Sequence, residues 1–214
     1  MTQLYALNLQ PYPVNHWLDL LPTLPEDRQQ QVLSCRHEED LARTAGAGWL
    51  LQYALERSGI PASAQHFRKN QFGKPFLSDR PEVHFSLSHS GSWAVCAVSD
   101  HPVGVDAELP RCTMAMARRH FHPEELAQLD ALSPHDQADA LNRLWTAKEA
   151  FLKALGCGLV IPLSSFTVHL TPDSAFLDQS YTSLPYVLHE YQPDLCRICL
   201  CTVDQRPELQ IVAP

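Results

Sequence analysis

Apolar and polar positions change period several times along the chain, and each change marks an element. Alternation over Gln3–Leu9 opens the sequence, as in a strand with one buried face. Helical spacing follows over residues 25–34 and 38–58, ending at Ser58-Gly59-Ile60-Pro61, a Gly C-cap with Pro beyond it. Phe72-Gly73-Lys74-Pro75 reads as a turn, because Pro75 forces Lys74 into extended geometry. Three short β-branched or alternating runs come next: Val83–Ser88, Trp93–Ser99 and Val103–Glu108. Helical pattern resumes at His122-Pro123-Glu124-Glu125, with Pro at the first helical position and acids in the first turn. A second such start, Ser133-Pro134-His135-Asp136, predicts a helix through Trp145 to Leu155, stopped by Gly156-Cys157-Gly158. Strands are expected near residues 165–170, 185–191 and 196–203.

The order of helices followed by strands occurs twice. Thr44-Ala45-Gly46-Ala47-Gly48-Trp49-Leu50 shares Thr, Ala, an aromatic and Leu in register with Thr146-Ala147-Lys148-Glu149-Ala150-Phe151-Leu152, about 100 residues further on. Val95-Cys96-Ala97-Val98 stands in the same relation to Ile198-Cys199-Leu200-Cys201. The identities are few, and amphipathic helices also resemble one another by chance. Two similar α+β halves, 1–102 and 103–214, would account for the spacing and the length, and a cleft between them is a natural ligand site.

Composition narrows the class. Hydrophobic residues make up 45% and charged residues 19% of the 214, which excludes disorder, collagen and coiled coil. A chain of this length folds without metal or disulfide staples. The formal charge of −8 argues against tracking along DNA or RNA phosphates, so no nucleic-acid partner is expected. No apolar run reaches the roughly 18 residues of a membrane span, and the opening segment lacks a basic signal region. Seven scattered cysteines read as reduced thiols in a cytoplasm. Cys196-x-x-Cys199 has no second pair and lies in an alternating run, which predicts small buried residues rather than zinc ligands.

Candidate chemistry clusters in a few places. Asp106 and Glu108 follow the strand-like Val103-Gly104-Val105, so period 2 points both carboxylates to one side. Such a pair is either a solvated strand end or part of a ligand site. Glu149 and Lys153 stand four apart on one helix face, as a surface ion pair or as functional groups. Three carboxylates with a lysine are the set that Mg²⁺-assisted phosphoryl chemistry requires. His84 reads as a strand residue. His89 lies among Ser88, Ser90 and Gly91, where hydroxyls and backbone N–H groups either satisfy the imidazole locally or receive a phosphate oxygen. Arg28, Arg43 and Lys74 are unremarkable singly.

Taken in order, Phe72-Gly73-Lys74-Pro75, Phe85-Ser86-Leu87-Ser88-His89-Ser90, Gly104-Val105-Asp106-Ala107-Glu108 and Trp145-Thr146-Ala147-Lys148-Glu149-Ala150-Phe151-Leu152-Lys153 resemble the motifs of 4′-phosphopantetheinyl transferases. The closest type is the long, pseudodimeric form that activates peptide and polyketide synthetases. The resemblance implies two α+β halves related by a pseudo-twofold, with the active site in the cleft between them. It implies transfer of the phosphopantetheine arm of coenzyme A to a serine hydroxyl of an apo acyl or peptidyl carrier protein, with release of adenosine 3′,5′-bisphosphate. By similarity Asp106, Glu108 and Glu149 hold Mg²⁺ against the pyrophosphate, and Glu149 is the candidate base. Lys153 stabilises or protonates the departing phosphate. Ser88, His89 and Lys74 contact phosphates of coenzyme A, and Arg28, Arg43 and Thr44 approach its 3′-phosphate and adenine.

Two positions depart from the family pattern. Ala150 stands where Ser often follows the Lys-Glu pair, and Gln31 stands where a Lys is often found. Rival readings are a Mg²⁺ phosphodiesterase or nuclease, which lacks the basic track it needs, and a non-catalytic carrier-binding module, which has no reason to keep every acid and Lys153. Two halves in one chain already form a cleft, so a monomer is expected. Since carrier proteins are commonly acidic, docking is expected to rest on an apolar patch more than on net attraction.

Overall fold

The computed structural model describes the whole chain, Met1–Pro214, apart from the side chain of Leu159. Its elements run β1 (Gln3–Asn8), α1 (Val14–Leu20), α2 (Glu26–Leu33), α3 (Glu38–Arg57), β2 (Phe67–Lys69), β3 (Pro75–Leu77), β4 (His84–Ser90), β5 (Trp93–Ser99) and β6 (Gly104–Glu108). There follow α4 (Met114–His120), α5 (Pro123–Asp130), α6 (Pro134–Leu155), β7 (Thr167–Leu170), β8 (Ala175–Asp178), β9 (Val187–Tyr191), β10 (Arg197–Thr202) and β11 (Leu209–Val212). The mixed α+β class expected from the sequence is what the chain adopts. Helix ends fall where the capping signals put them. At α5 the His122 imidazole accepts the Glu124 N–H, while the Glu125 carboxylate accepts the His122 N–H. At α6 the Ser133 hydroxyl accepts the Asp136 N–H, and Gly156, at φ +69°, closes the helix in the left-handed region.

Two sheets form. One has the order β11-β1-β5-β4 and the other β6-β10-β9. Leaving β11 aside, each is an antiparallel sheet whose first strand lies at an edge beside its last, with the third between them in sequence on the far side. A long helix, α3 or α6, follows the first strand and covers the sheet. The segments that match in sequence therefore occupy matching places: Thr44–Leu50 and Thr146–Leu152 in the long helices, Val95–Val98 and Ile198–Cys201 in the central strands. β11 departs from this scheme. It returns to run parallel beside β1, so the chain's last strand completes the sheet of the first half.

Side-chain alternation builds four layers from these parts. Tyr5 and Leu7 of β1, with Cys96 and Val98 of β5, meet Leu50, Leu51 and Leu55 of α3. The opposite faces, Leu4, Ala6, Val95 and Ala97, pack against Val105, Ala107, Ile198 and Leu200 of the second sheet. Cys199 and Cys201 then face Leu144, Ala147 and Phe151 of α6, as the strand reading of that cysteine run anticipated. All seven cysteines are free thiols. No helix among the described residues is long and apolar enough to cross a membrane.

A fully buried ion pair anchors α6. Lys148 Nζ lies 2.6 Å from Glu125 Oε1 and donates to the carbonyls of Leu163 and Phe166, each at 2.8 Å, so all three of its N–H bonds are matched. Burial pushes the Lys148 ammonium toward neutrality and Glu125 pulls it back. Removing one partner of such a pair costs about 3–5 kcal/mol because the other charge is left buried alone. With Lys148 turned inward, its neighbours Glu149 and Lys153 face the other way.

Candidate active site at the seam between the sheets

The two sheets meet edge to edge at β4 and β6, and serine hydroxyls form the join. Ser86, Ser88 and Ser90 alternate along β4, so period 2 turns all three toward β6. Ser86 Oγ accepts the Val105 N–H at 2.9 Å, and Ser90 Oγ accepts the Leu109 N–H at 3.0 Å. Ser90 also donates to Glu108 Oε2 at 3.1 Å, and Ser88 donates to Asp106 Oδ1 at 2.9 Å. Asp106 and Glu108 do share a face of β6, as their spacing requires, and that face looks toward α6.

Lys153 reaches this seam from α6. Its ammonium donates to Asp106 Oδ1 at 2.7 Å and to Ser88 Oγ at 2.8 Å, closing a triangle of three side chains from three elements. Gly104 makes the approach possible. A Cβ there would lie inside the backbone of α6, on the Ala150 carbonyl oxygen and the Ala154 amide. Asp106 is buried, and its second oxygen, Oδ2, has no hydrogen-bond partner. Burial, then the charge of Asp106, raises the carboxyl pKa of both Glu149 and Glu108. Lys153 opposes that rise at both, as does the Ser90 hydrogen bond at Glu108.

Among the described residues no three or more His, Cys, Asp or Glu side chains are gathered so that together they could hold a metal ion. Mg²⁺ does not need such a cluster, since it keeps several waters and takes one or two carboxylates plus substrate phosphates. A buried carboxylate oxygen without a partner, beside two acids whose charge is disfavoured, has the donor chemistry of such a site.

A cleft runs past the seam. Its middle part, about 280 Å³, is lined by Arg28, Thr44, Ser88, His89 and Lys153, with Gln31 beside them. Arg28 also lines a wider part of about 760 Å³ under β2. An inner part of about 280 Å³ runs from Phe72 and Lys74 to Glu149 and Lys153, and Leu87 borders all three. Burial lowers the pKa of His89, helped by the charges of Arg43 and Lys153. Arg43 itself is held by acids of its own helix, Asp40 at 2.6 Å and Glu39 at 3.5 Å. Lys74 lines the inner cleft, but its ammonium is bonded to two main-chain carbonyls, Lys153 O at 2.5 Å and Val103 O at 3.1 Å. Burial lowers its pKa to about 8.

Two family models match the chain. The model of the 4′-phosphopantetheinyl transferase superfamily matches residues 102–195, and that of the N-terminal region of 4′-phosphopantetheinyl transferases matches residues 10–101. A 4′-phosphopantetheinyl transferase of Bacillus subtilis is 38% identical over 159 residues, 69% of this chain and 71% of the relative. Another from Bacillus pumilus is 32% identical over 208 residues, 94% of this chain and 89% of the relative. The chain belongs to the 4′-phosphopantetheinyl transferase superfamily. It is an enzyme of that type, and of the long form that the order of its motifs indicated.

Sequence reasoning left out several residues that shape this transferase's cleft. Ser86 joins the sheets with no role assigned to it from sequence, and Ser90, named there beside His89, is bonded to Glu108 and the Leu109 N–H; the run Ser86-x-Ser88-x-Ser90 carried the signal, a hydroxyl on alternate positions of a strand. The buried Glu125–Lys148 pair lay within recognised segments, but nothing local ties two charges so far apart in sequence. Asn70 sits in no motif, yet its amide spans the two halves, donating to the Gly156 carbonyl at 2.8 Å.

Proposed function

We propose that the cleft binds coenzyme A and that the enzyme transfers its 4′-phosphopantetheine group to a serine hydroxyl of an apo acyl or peptidyl carrier protein. The serine oxygen forms a bond to the phosphorus carrying the pantetheine arm. The bond from that phosphorus to the bridging oxygen breaks, and adenosine 3′,5′-bisphosphate leaves. The observation that carries this reading is Lys153, whose ammonium crosses the seam to Asp106 and Ser88 at the bend of a cleft lined by Arg28, Thr44 and His89.

In this reading Ser88, His89 and Lys153 contact the phosphates, while Arg28 and Thr44 approach the 3′-phosphate and adenine and Arg43 adds its charge nearby. Asp106, Glu108 and Glu149 would hold Mg²⁺, which when bound neutralises charge on the diphosphate. Glu149 accepts the serine proton, a task suited to a carboxylate whose pKa burial has raised toward the working pH. Lys153 Nζ, beside the breaking bond, stabilises the departing phosphate oxygen. The halves, 1–102 and 103–214, are related by a pseudo-twofold, and a monomer holds the complete site.

Incubation with coenzyme A, Mg²⁺ and a panel of apo carrier domains, read by intact mass, tests the activity. A carrier gains the phosphopantetheine mass only if its acceptor serine is present. Asp106→Ala is expected to lower kcat by about 100-fold or more, with the circular dichroism spectrum retained. A near-wild-type rate at saturating Mg²⁺ would remove Asp106 from the mechanism.

A further inference from the structure

The turn between β2 and β3 belongs to the first half, yet its polar groups are bonded to the end of α6 in the second. Asn70 is the centre of it. Its Oδ1 accepts the N–H groups of Phe72 and Lys74, each at 2.9 Å, which shapes the turn. Its Nδ2 donates across the cleft to the Gly156 carbonyl at 2.8 Å. The Lys74 backbone, fixed by that turn, sends its ammonium to the Lys153 carbonyl at 2.5 Å and the Val103 carbonyl at 3.1 Å.

The last carbonyls of a helix lack partners within it. Here the Leu152 carbonyl takes the Gly156 N–H, and the Lys153 carbonyl takes the Lys74 ammonium from the other half. A cation at this end also meets the negative pole of the α6 dipole. Gly156 leaves room for the contact, since a Cβ there would lie 2.9 Å from Lys74 Cδ. The residue whose carbonyl is held is the same residue whose side chain meets Asp106 and Ser88. Its main chain is pinned from one half while its ammonium crosses to the seam.

We propose that Asn70, with Lys74, is a positioning residue: a clasp between the halves that sets where the Lys153 ammonium stands in the cleft. Lys74 thereby holds protein carbonyls rather than a phosphate. This rests on the transferase reading, in which Lys153 acts on the leaving phosphate.

Asn70→Asp is the informative variant, because it keeps the oxygen that shapes the turn and replaces the N–H donor facing Gly156. It is expected to lower kcat about three- to tenfold, the worth of one lost hydrogen bond, and to change KM for coenzyme A less than about twofold. On a Lys153→Ala background the same change is expected to alter kcat less than about twofold, because its route to the chemistry is gone. Amide hydrogen exchange over residues 154–158 is expected to quicken in Asn70→Asp. An unchanged kcat, or an equal fall on both backgrounds, overturns the clasp. A wild-type chain that modifies no carrier overturns the transferase reading instead, and the exchange comparison then still reports on the clasp alone.

Discussion

At the scale of single residues, burial disfavours the charged form of two titratable groups in the cleft. Burial and cationic neighbours depress His89, and burial and Asp106 raise Glu149. For His89 the sign is direct: the folded state disfavours the protonated ring, so its contribution to stability is present above the ordinary histidine pKa of about 6.5 and is lost as pH falls from there through the lower folded-state value. A phosphate beside the ring reverses this by favouring the imidazolium. The His89 titration, followed by NMR, is therefore expected to lie below about 6.5 in the free enzyme and to move upward with adenosine 3′,5′-bisphosphate bound. A midpoint unmoved by the ligand would take His89 out of the phosphate contacts. That His89, Ser88, Arg28 and Thr44 stand along one stretch of cleft with Lys153 followed from no local pattern of these residues; only the family resemblance pointed to it. Which group each ammonium finally meets was not legible either. Lys74 and Lys153 are equally basic in sequence, and only the packed turn gives one to carbonyls and the other to a carboxylate.

At the scale of elements, placement of α6 against β6 decides the site, and both sides of that contact are set by side chains of opposite size. Lys148 and Glu125 fasten the inner face of the helix. Gly104 lets the outer end come close enough for Lys153 to reach Asp106. Gly104→Ala puts its methyl into helix backbone, which cannot swing aside as a side chain could, so α6 as a whole must shift. A loss of about 1–3 kcal/mol in urea unfolding is expected, together with a fall in kcat larger than any rise in KM. Stability within about 0.5 kcal/mol of wild type would mean the contact has slack. Long periodic elements such as α3 and α6 could be read to within a residue or two, because burial of one face writes their period into the sequence. Several short ones could not. α1 buries only Trp17 and α4 only Ala117, too few apolar positions to define a period. β2, β3, β8 and β11 are three or four residues each, below the length at which alternation differs from chance.

At the scale of the whole molecule, the segments that match in sequence fall in long helices and central strands of two sheets with the same strand order, whereas the return of β11 to the first sheet depends on a pairing across the full chain. Charge behaves in the same global way. The molecule carries −8, and several of its cations are tied to its own acids: Arg80 to Glu82, Arg118 to Asp130, Arg143 to Glu190 and Arg197 to Asp139. Paired cations cast little field beyond the Debye length of about 8 Å at physiological salt. An acidic carrier protein is then met by no long-range attraction, and productive encounters depend on short-range apolar contact, which salt does not screen. With coenzyme A saturating, raising sodium chloride from about 50 to 500 mM is expected to change kcat/KM for the carrier less than about threefold. Steered association would instead lose a decade or more over that range. A decline that steep, with coenzyme A occupancy verified at each salt concentration, would show that the cations of the cleft and of α4 act on the carrier before contact.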